Sequence, residues 1–343
     1  MKLDFSVGMG RNLTIAEVAS HSKSAENNGF KQITFLDQQN LSRDVYTMMT
    51  IAALNTSRIL IGQGVTQPFT YHPSVTANAT ATINELSGGR VFLGIGAGGN
   101  AVRSMGIRPR SIDEYRNAVV FIRKYFSGQI AEYEGARMHS EWVNQKIPIY
   151  MAASGPRSLQ LAGELADGVI FLGSNPEFIK WQKDYVEQGA IKVGRDPLEI
   201  DYWARTCIYV APTKEAARRE VASYAATAAR NRYWYLQRKT PGIQKLGEII
   251  EQAQPGLINE FKKIYDNWDE DFHETTDAPH ADFATQRIID FFHIVGPPEE
   301  ICERVEQLGN IGITNISTTV FTIIDKKGMM DKIGNTIMSH FRN

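Results

Sequence analysis

The sequence predicts a (β/α)8 barrel, a TIM barrel, with one mostly helical insertion before the last strand-helix unit. Three observations predict it. Short apolar runs alternate with stretches apolar at helical spacing, joined by short links; that beat calls for parallel strands with right-handed crossovers. Eight such pairs can be traced along the 343 residues, an ordinary length for this fold. One strand ends in bare backbone, at Gly94, Gly96, Gly98 and Gly99, and the C-terminal ends of barrel strands carry active sites.

The elements follow in order. Residues 3–7 read as the first strand. Thr14 and Glu17 have capping-box spacing; the helix they open runs to about Asn28, with Gly29 as its stop. Residues 30–36 are the second strand, ending at Asp37, and residues 45–55 are apolar at helical spacing. Residues 59–62 are the third strand, left through Gly64-Val65-Thr66-Gln67-Pro68. His72-Pro73 leads into a helix over 74–86, which Ser87-Gly88-Gly89 stops, because glycine takes the left-handed conformation a helix end needs. Residues 91–95 form a short apolar run, as in a strand covered on both faces. Ser111 and Glu114 pair as a second capping box for a helix over 111–126. Residues 147–153 are the fifth strand, 154–157 its exit loop and 158–166 the next helix. Asp167-Gly168 turns into the sixth strand, 169–172, before a helix over 178–192. The seventh strand is expected over 200–210 and its helix over 213–229.

The beat breaks over residues 230–290, with Tyr233-Trp234-Tyr235, Pro241-Gly242, Pro255-Gly256 and an acidic run over 266–271. This is the expected helical insertion near the mouth, within a single domain over residues 1–343. Gly296-Pro297-Pro298-Glu299-Glu300 opens a helix through Leu308, proline being allowed in a first turn. Residues 313–318 are the eighth strand, and a last helix starts at about Lys326.

Composition limits the function classes. With 43% hydrophobic and 22% charged residues the chain reads as soluble and globular. A net charge of -1 gives no global pull toward nucleic acid or a membrane surface. No run approaches the ~18 apolar residues of a membrane span, and the first residues lack the apolar core of a secretion signal. Cys207 and Cys302 lie far apart without metal-type spacing and read as small buried hydrophobes in a reduced, cytoplasmic protein. The histidines form no metal-binding pattern, so no metal is expected.

The chemistry-bearing candidates lie at strand ends. The run from Gly94 to Gly99 looks like a dinucleotide fingerprint but follows the fourth strand rather than the first, so a Rossmann reading is set aside. Its bare backbone lets a flat ligand approach. Ser154-Gly155-Pro156-Arg157 suits a phosphate at a helix start, with arginine adding charge; the plainer alternative is a helix start alone. Gly64-Val65-Thr66 is either a bulge behind a planar ring or an ordinary turn. Asp37 either points into the mouth or caps the next segment. Tyr233-Trp234-Tyr235 reads first as packing, with substrate contact the alternative.

Taken together, four stretches resemble the bacterial luciferase-like superfamily of flavin- and deazaflavin-dependent oxidoreductases, closest to the methylenetetrahydromethanopterin reductase branch. They are Asp37-Gln38-Gln39-Asn40 with Arg43-Asp44-Val45-Tyr46; Ile61-Gly62-Gln63-Gly64-Val65-Thr66 with His72-Pro73; Glu85-Leu86-Ser87-Gly88-Gly89-Arg90 through Gly98; and Pro148-Ile149-Tyr150-Met151-Ala152-Ala153-Ser154-Gly155-Pro156 with 161–169. Gly296-Pro297-Pro298-Glu299-Glu300 fits the last repeat.

The resemblance implies FMN or coenzyme F420, a deazaflavin, in the barrel mouth, and often a homodimer. It assigns Asp37 and Gln38 to catalysis. It assigns Gly64, Val65, Thr66, Gly96, Ala97, Gly98, Ala153, Ser154, Gly155, Pro156 and Arg157 to the cofactor, with its phosphate near the loop after strand five. It also implies a non-proline cis peptide at Gly64–Val65, behind the ring. The implied activity is hydride transfer between that cofactor and a small organic substrate. The alternatives are an FMN monooxygenase using molecular oxygen, with a separate flavin reductase as partner, and a cofactor-free binding protein on the same barrel. Two departures bear on the reaction: Gln38 stands where deazaflavin-dependent relatives often have histidine, and Gly99-Asn100 where relatives often have an acid. Glutamine and asparagine orient a carbonyl but exchange no proton near neutral pH, so the resemblance carries cofactor binding further than pterin reduction.

Overall fold

The computed structural model describes residues 3–99, 101–102, 105–108, 110–269, 272, 278–320 and 323–342. Asn100 and the end of the acidic run, residues 270–271, lie outside them.

Eight parallel strands close into a barrel in the order β1 (Asp4–Met9), β2 (Gln32–Phe35), β3 (Leu60–Gln63), β4 (Val91–Gly96), β7 (Ile149–Ala152), β8 (Gly168–Leu172), β9 (Asp201–Thr206) and β12 (Asn315–Thr319). The predicted (β/α)8 barrel is therefore the observed fold. Helices Ile15–Asn27, Val45–Asn55, Pro73–Leu86, Ile112–Phe126, Pro156–Leu165 and Pro176–Lys192 follow the first six strands in turn. Both predicted capping boxes form: Glu17 N–H donates to Thr14 Oγ1 at 3.2 Å, and Glu114 N–H donates to Ser111 Oγ at 3.1 Å. Each cap contributes about 1 kcal/mol. Gly88 and Gly89 follow Pro73–Leu86 at φ +69° and +86°, as a stop requires.

Strand alternation sorts side chains between two cores. Outward residues such as Val7, Ile33, Ile61, Leu93 and Met151 pack under the helices in the main core. Inside the barrel, Phe92, Tyr150, Ile170 and Trp203 form a separate cluster, with Tyr150 and Trp203 centroids 4.4 Å apart. The opposite side of the interior is polar: Ser6 Oγ donates to Asn315 Oδ1 at 2.8 Å, and Asn315 Nδ2 to Gln32 Oε1 at 2.7 Å.

Several expectations need correction. The seventh strand is not continuous over 200–210. It splits into β9 and β10 (Ile208–Val210), and β10 leaves the barrel to pair with β11 (Ile294–Gly296). The amides at the break are taken by side chains: Cys207 N–H donates to His293 Nδ1 at 3.2 Å and Ile208 N–H to Thr318 Oγ1 at 2.9 Å. The helix expected over 213–229 continues as Lys214–Leu236, so the segment over 230–290 begins inside a helix and adds Pro241–Ala253, Leu257–Asp266 and Gln286–Phe292. Its buried face runs into the extension: Tyr224, Ala225, Ala228 and Ala229 are buried, and so is Arg232 beyond them. A hairpin of β5 (Ala131–Tyr133) and β6 (Ala136–Met138), unforeseen in the pattern, sits between β4 and β7. The last helix, Lys326–Lys332, widens into a π turn over Ile333–Met338. Cys207 and Cys302 are buried as expected, and burial pushes the Cys207 thiol up to about 12. Among the described residues no helix is long and apolar enough to cross a membrane.

Candidate active site

The C-terminal strand ends gather most of the residues singled out above. β2 delivers Asp37, which is 4% exposed. Its Oδ2 accepts from the Thr66 hydroxyl and its Oδ1 from Gln39 Nε2 at 2.7 Å. Burial raises its pKa above the usual carboxylate range; the Thr66 and Gln39 hydrogen bonds pull the other way. A carboxyl group so placed can hold or release a proton nearer neutrality than a surface aspartate. Gln38 is also buried, but it works through its backbone: its carbonyl accepts from Leu41 N–H, Ser42 N–H and Ser42 Oγ, which closes the turn after β2.

β3 ends in the bulge. The Gly64–Val65 peptide is cis, as the resemblance implied. Gly64 N–H donates to Phe35 O at 2.7 Å, and Gly64 O accepts from Arg205 Nη1 at 2.6 Å. Thr66 N–H donates to Gly94 O at 2.9 Å and Thr66 O accepts from Gly96 N–H at 2.8 Å. The bulge is thus tied to β2, β4 and β9 at once.

The glycine mouth has a different cause from the one read in the sequence. A Cβ on Gly94 would collide with the Gln63 carbonyl, and one on Gly96 would stand 3.1 Å from Val65 Cγ2. The bulge of β3, rather than open space, presses on β4 there. Past the strand, Gly98 is exposed at φ +78° but a Cβ there would collide with Val102; only at Gly99 does the backbone open, with nothing within 4 Å of a built Cβ, and Ala97 is half-buried between them and the strand.

β7 pairs with β4, Ala152 against Gly96, and so sets the loop of Ala153, Ser154, Gly155, Pro156 and Arg157 beside the mouth. Ala153 and Gly155 are buried; Ser154 and Arg157 are exposed; Pro156 begins its helix. Gly155 N–H donates to Ser158 Oγ at 3.2 Å. The Tyr235 hydroxyl occupies the place a Cβ on Gly155 would take. Tyr235, from the aromatic triplet, therefore packs on the very loop read as a phosphate site.

Four further residues stand at these strand ends and loops. Gln39 orients Asp37, and among the described residues its own Oε1 is buried with no partner and the buried hydroxyl of Tyr46 is likewise unpartnered. Arg205 braces Gly64; a lone arginine in Tyr202-Trp203-Ala204-Arg205-Thr206 was the available signal. Arg232 is buried beside Tyr235, and no strand pattern could have pointed to it, since only the fold brings its helix over the mouth.

With this geometry in hand, likeness to known proteins is informative. The sequence model of the luciferase-like monooxygenase family matches residues 3–315. The chain is 32% identical to a 5,10-methylenetetrahydromethanopterin reductase from Archaeoglobus fulgidus, over 98% of this chain and 99% of that one. It is 30% identical to an F420-dependent hydroxymycolic acid dehydrogenase from Mycobacterium tuberculosis, over 73% and 71%. The structure of the coenzyme F420 dependent tetrahydromethanopterin reductase from Methanopyrus kandleri superposes with a TM-score of 0.83 at 26% identity, covering both chains completely. On its strand-end site, its full-length relatives and the family match, the chain belongs to the luciferase-like monooxygenase family.

Proposed function

We propose that this oxidoreductase moves a hydride between coenzyme F420 and a small organic substrate. The observation that carries the choice of deazaflavin is the end-to-end likeness, at a TM-score of 0.83, to an F420-dependent reductase. The residues present fit such a group. Unpartnered buried polar atoms on Gln39 and Tyr46 face the Asp37 side, and a buried cation, Arg232, stands on the side of the β7 loop. When bound, the coenzyme supplies the carbon that gives or takes the hydride.

The chain's own part is positioning and proton control. Arg205, Phe35 and Gly94 fix the bulge at Gly64, Val65 and Thr66 against which a flat ring rests. Gly96, Ala97 and Gly98 border the ring's other edge. The loop from Ala153 to Arg157 meets the ligand's charged end with first-turn amides that have no intrahelical acceptor. Asp37 holds or releases the proton that accompanies hydride transfer, with Thr66 and Gln39 setting its orientation; Gln38 frames the same turn.

Titration with coenzyme F420 and with FMN, each oxidised and reduced, tests the reading. Tight binding of F420 alone, followed by reduction of substrate without oxygen uptake, is expected. Oxygen consumption with reduced FMN would instead establish the monooxygenase and its need for a flavin reductase, and binding of neither would leave a binding protein.

A homodimer accompanies this reading. Helices Val45–Asn55 and Pro73–Leu86 pack side by side with Glu85 as their only charged residue, yet Leu54, Val75 and Leu86 are 68%, 50% and 49% exposed. Such a surface, with apolar side chains exposed and a single charge, suits a second copy. Leu54→Arg with Leu86→Arg should give a monomer in light scattering; an unchanged mass places the contact elsewhere.

A further inference from the structure

The C-terminal end of the long helix Lys214–Leu236 reaches the loops after β7 and β8 through its side chains. Arg232 lies in that end and is 4% exposed. Its Cζ stands 4.3 Å from the Phe178 ring centroid and 5.9 Å from that of Tyr235. Phe178 is in the first turn of the helix after β8, where Asn175 Oδ1 caps its amide. Tyr235, one turn beyond Arg232, sets its hydroxyl on Gly155, in the loop after β7. The guanidinium therefore sits where the loops of two neighbouring strands converge.

Its hydrogen-bonding capacity is not used. Nε and Nη1 are buried and meet no acceptor among the described residues. Burial lowers its pKa to about 10, so the group is still a cation at neutral pH. A buried charge without a counter-ion is strongly unfavourable. The aromatic faces of Phe178 and Tyr235 offset part of that cost but accept no N–H in the guanidinium plane. What the plane lacks is a pair of oxygens, and a planar fork of donors matches phosphate and carboxylate.

We propose that Arg232 is an oxyanion receptor, taking the phosphate or carboxylate of a bound ligand between the loops that follow the fifth and sixth barrel strands. The cofactor source rests on the F420 reading above; the anion chemistry does not. Tyr235 has two tasks: it closes the space over Gly155 and holds the guanidinium in place.

The test compares wild type with Arg232→Met and Arg232→Lys. Inorganic phosphate and succinate, added without cofactor, should raise the melting temperature of wild type and leave Arg232→Met unmoved. Unliganded Arg232→Met should melt at or above wild type, because the uncompensated charge is gone. Binding is then measured by fluorescence for F420 against its phosphate-free deazaflavin core, and for FMN against riboflavin. A charge-assisted pair lost from the phosphate gives roughly a tenfold or greater rise in Kd for the phosphorylated forms only, with Arg232→Lys between. That result assigns the anion to the cofactor. Unchanged Kd values for all four, with the response to phosphate or succinate abolished, assign it to the substrate. Melting shifts and Kd ratios equal in wild type and Arg232→Met overturn the proposal and leave Arg232 as packing. Wild type that binds no cofactor sinks the F420 reading, while the phosphate and succinate arm still decides Arg232.

Discussion

The two walls of the barrel mouth are built on opposite plans. The wall made by β2, β3 and β9 is held in place by hydrogen bonds among its own residues, with only neutral polar atoms, Gln39 Oε1 and the Tyr46 hydroxyl among them, left unpartnered among the described residues. Asp37 accepts from Thr66 and Gln39, Thr66 exchanges backbone hydrogen bonds with β4, and Arg205 donates to Gly64 O at 2.6 Å. The wall made by the loops after β7 and β8, roofed by Lys214–Leu236, leaves Arg232 with two buried donors unmet. Fixed partners hold geometry before any ligand arrives, which is what reaction at a defined ring face needs. An unmet charge makes ligand binding favourable instead. On the proposed reading, the first wall sets orientation and the second affinity.

Three tests sharpen or break that contrast. The largest effect is expected at Asp37. Asp37→Asn keeps the shape and an acceptor for Thr66 but removes the proton, so turnover should fall about 100-fold or more. Cofactor Kd should change only a few-fold. Because burial raises the Asp37 pKa, wild-type turnover should show an ionisation above the ordinary carboxylate range, and the variant should lose that step. A variant that instead loses cofactor affinity with its turnover intact would mean that this wall binds rather than reacts.

The second test concerns the other wall. Gly155→Ala places a methyl group on the Tyr235 hydroxyl and should cost about 1–3 kcal/mol by overpacking. Gly155→Ala combined with Tyr235→Phe should recover much of it, since the two residues share one space. Independent, additive losses in a double-mutant cycle would show that they do not touch. This pair also warns that a bulky residue at Gly155 disturbs the roof whatever the ligand, so Arg232 is the cleaner probe of anion binding.

The smallest effect lies beneath that roof. His293 is fully buried and stacks on Tyr224 of the same helix, with centroids 4.8 Å apart. Burial lowers its pKa to about 3. The unfolded chain takes up a proton near pH 6.5 while the folded one does not, so stability is full above that pH and declines as pH falls toward 3. The loss at pH 5 is about 2 kcal/mol. Denaturant melts of His293→Phe should show a flatter dependence between pH 7 and 5. The same slope in both proteins would mean that another group carries it.

The sequence by itself determined the barrel. Apolar runs, capping pairs such as Thr14 with Glu17, and glycine stops such as Gly88-Gly89 are local signals, and each is satisfied by neighbours within a few residues. It also pointed to the strand ends carrying Asp37, Thr66 and Gly155, because strand ends are legible wherever strands are. What it did not contain was the reason for the glycines. Gly94 and Gly96 are bare because the β3 bulge presses on them, and that contact joins residues about thirty apart in the chain. The departure of β10 from the barrel likewise hangs on His293 and Thr318, each remote from Cys207 and Ile208. Arg205 and Arg232 show the same limit most plainly. Both are arginines, yet tertiary packing alone decided that one meets the Gly64 carbonyl and the other, carried by its helix to two loops, meets no acceptor among the described residues. Local pattern fixes which backbone forms; a long side chain's partner depends on what distant segments bring within hydrogen-bond reach.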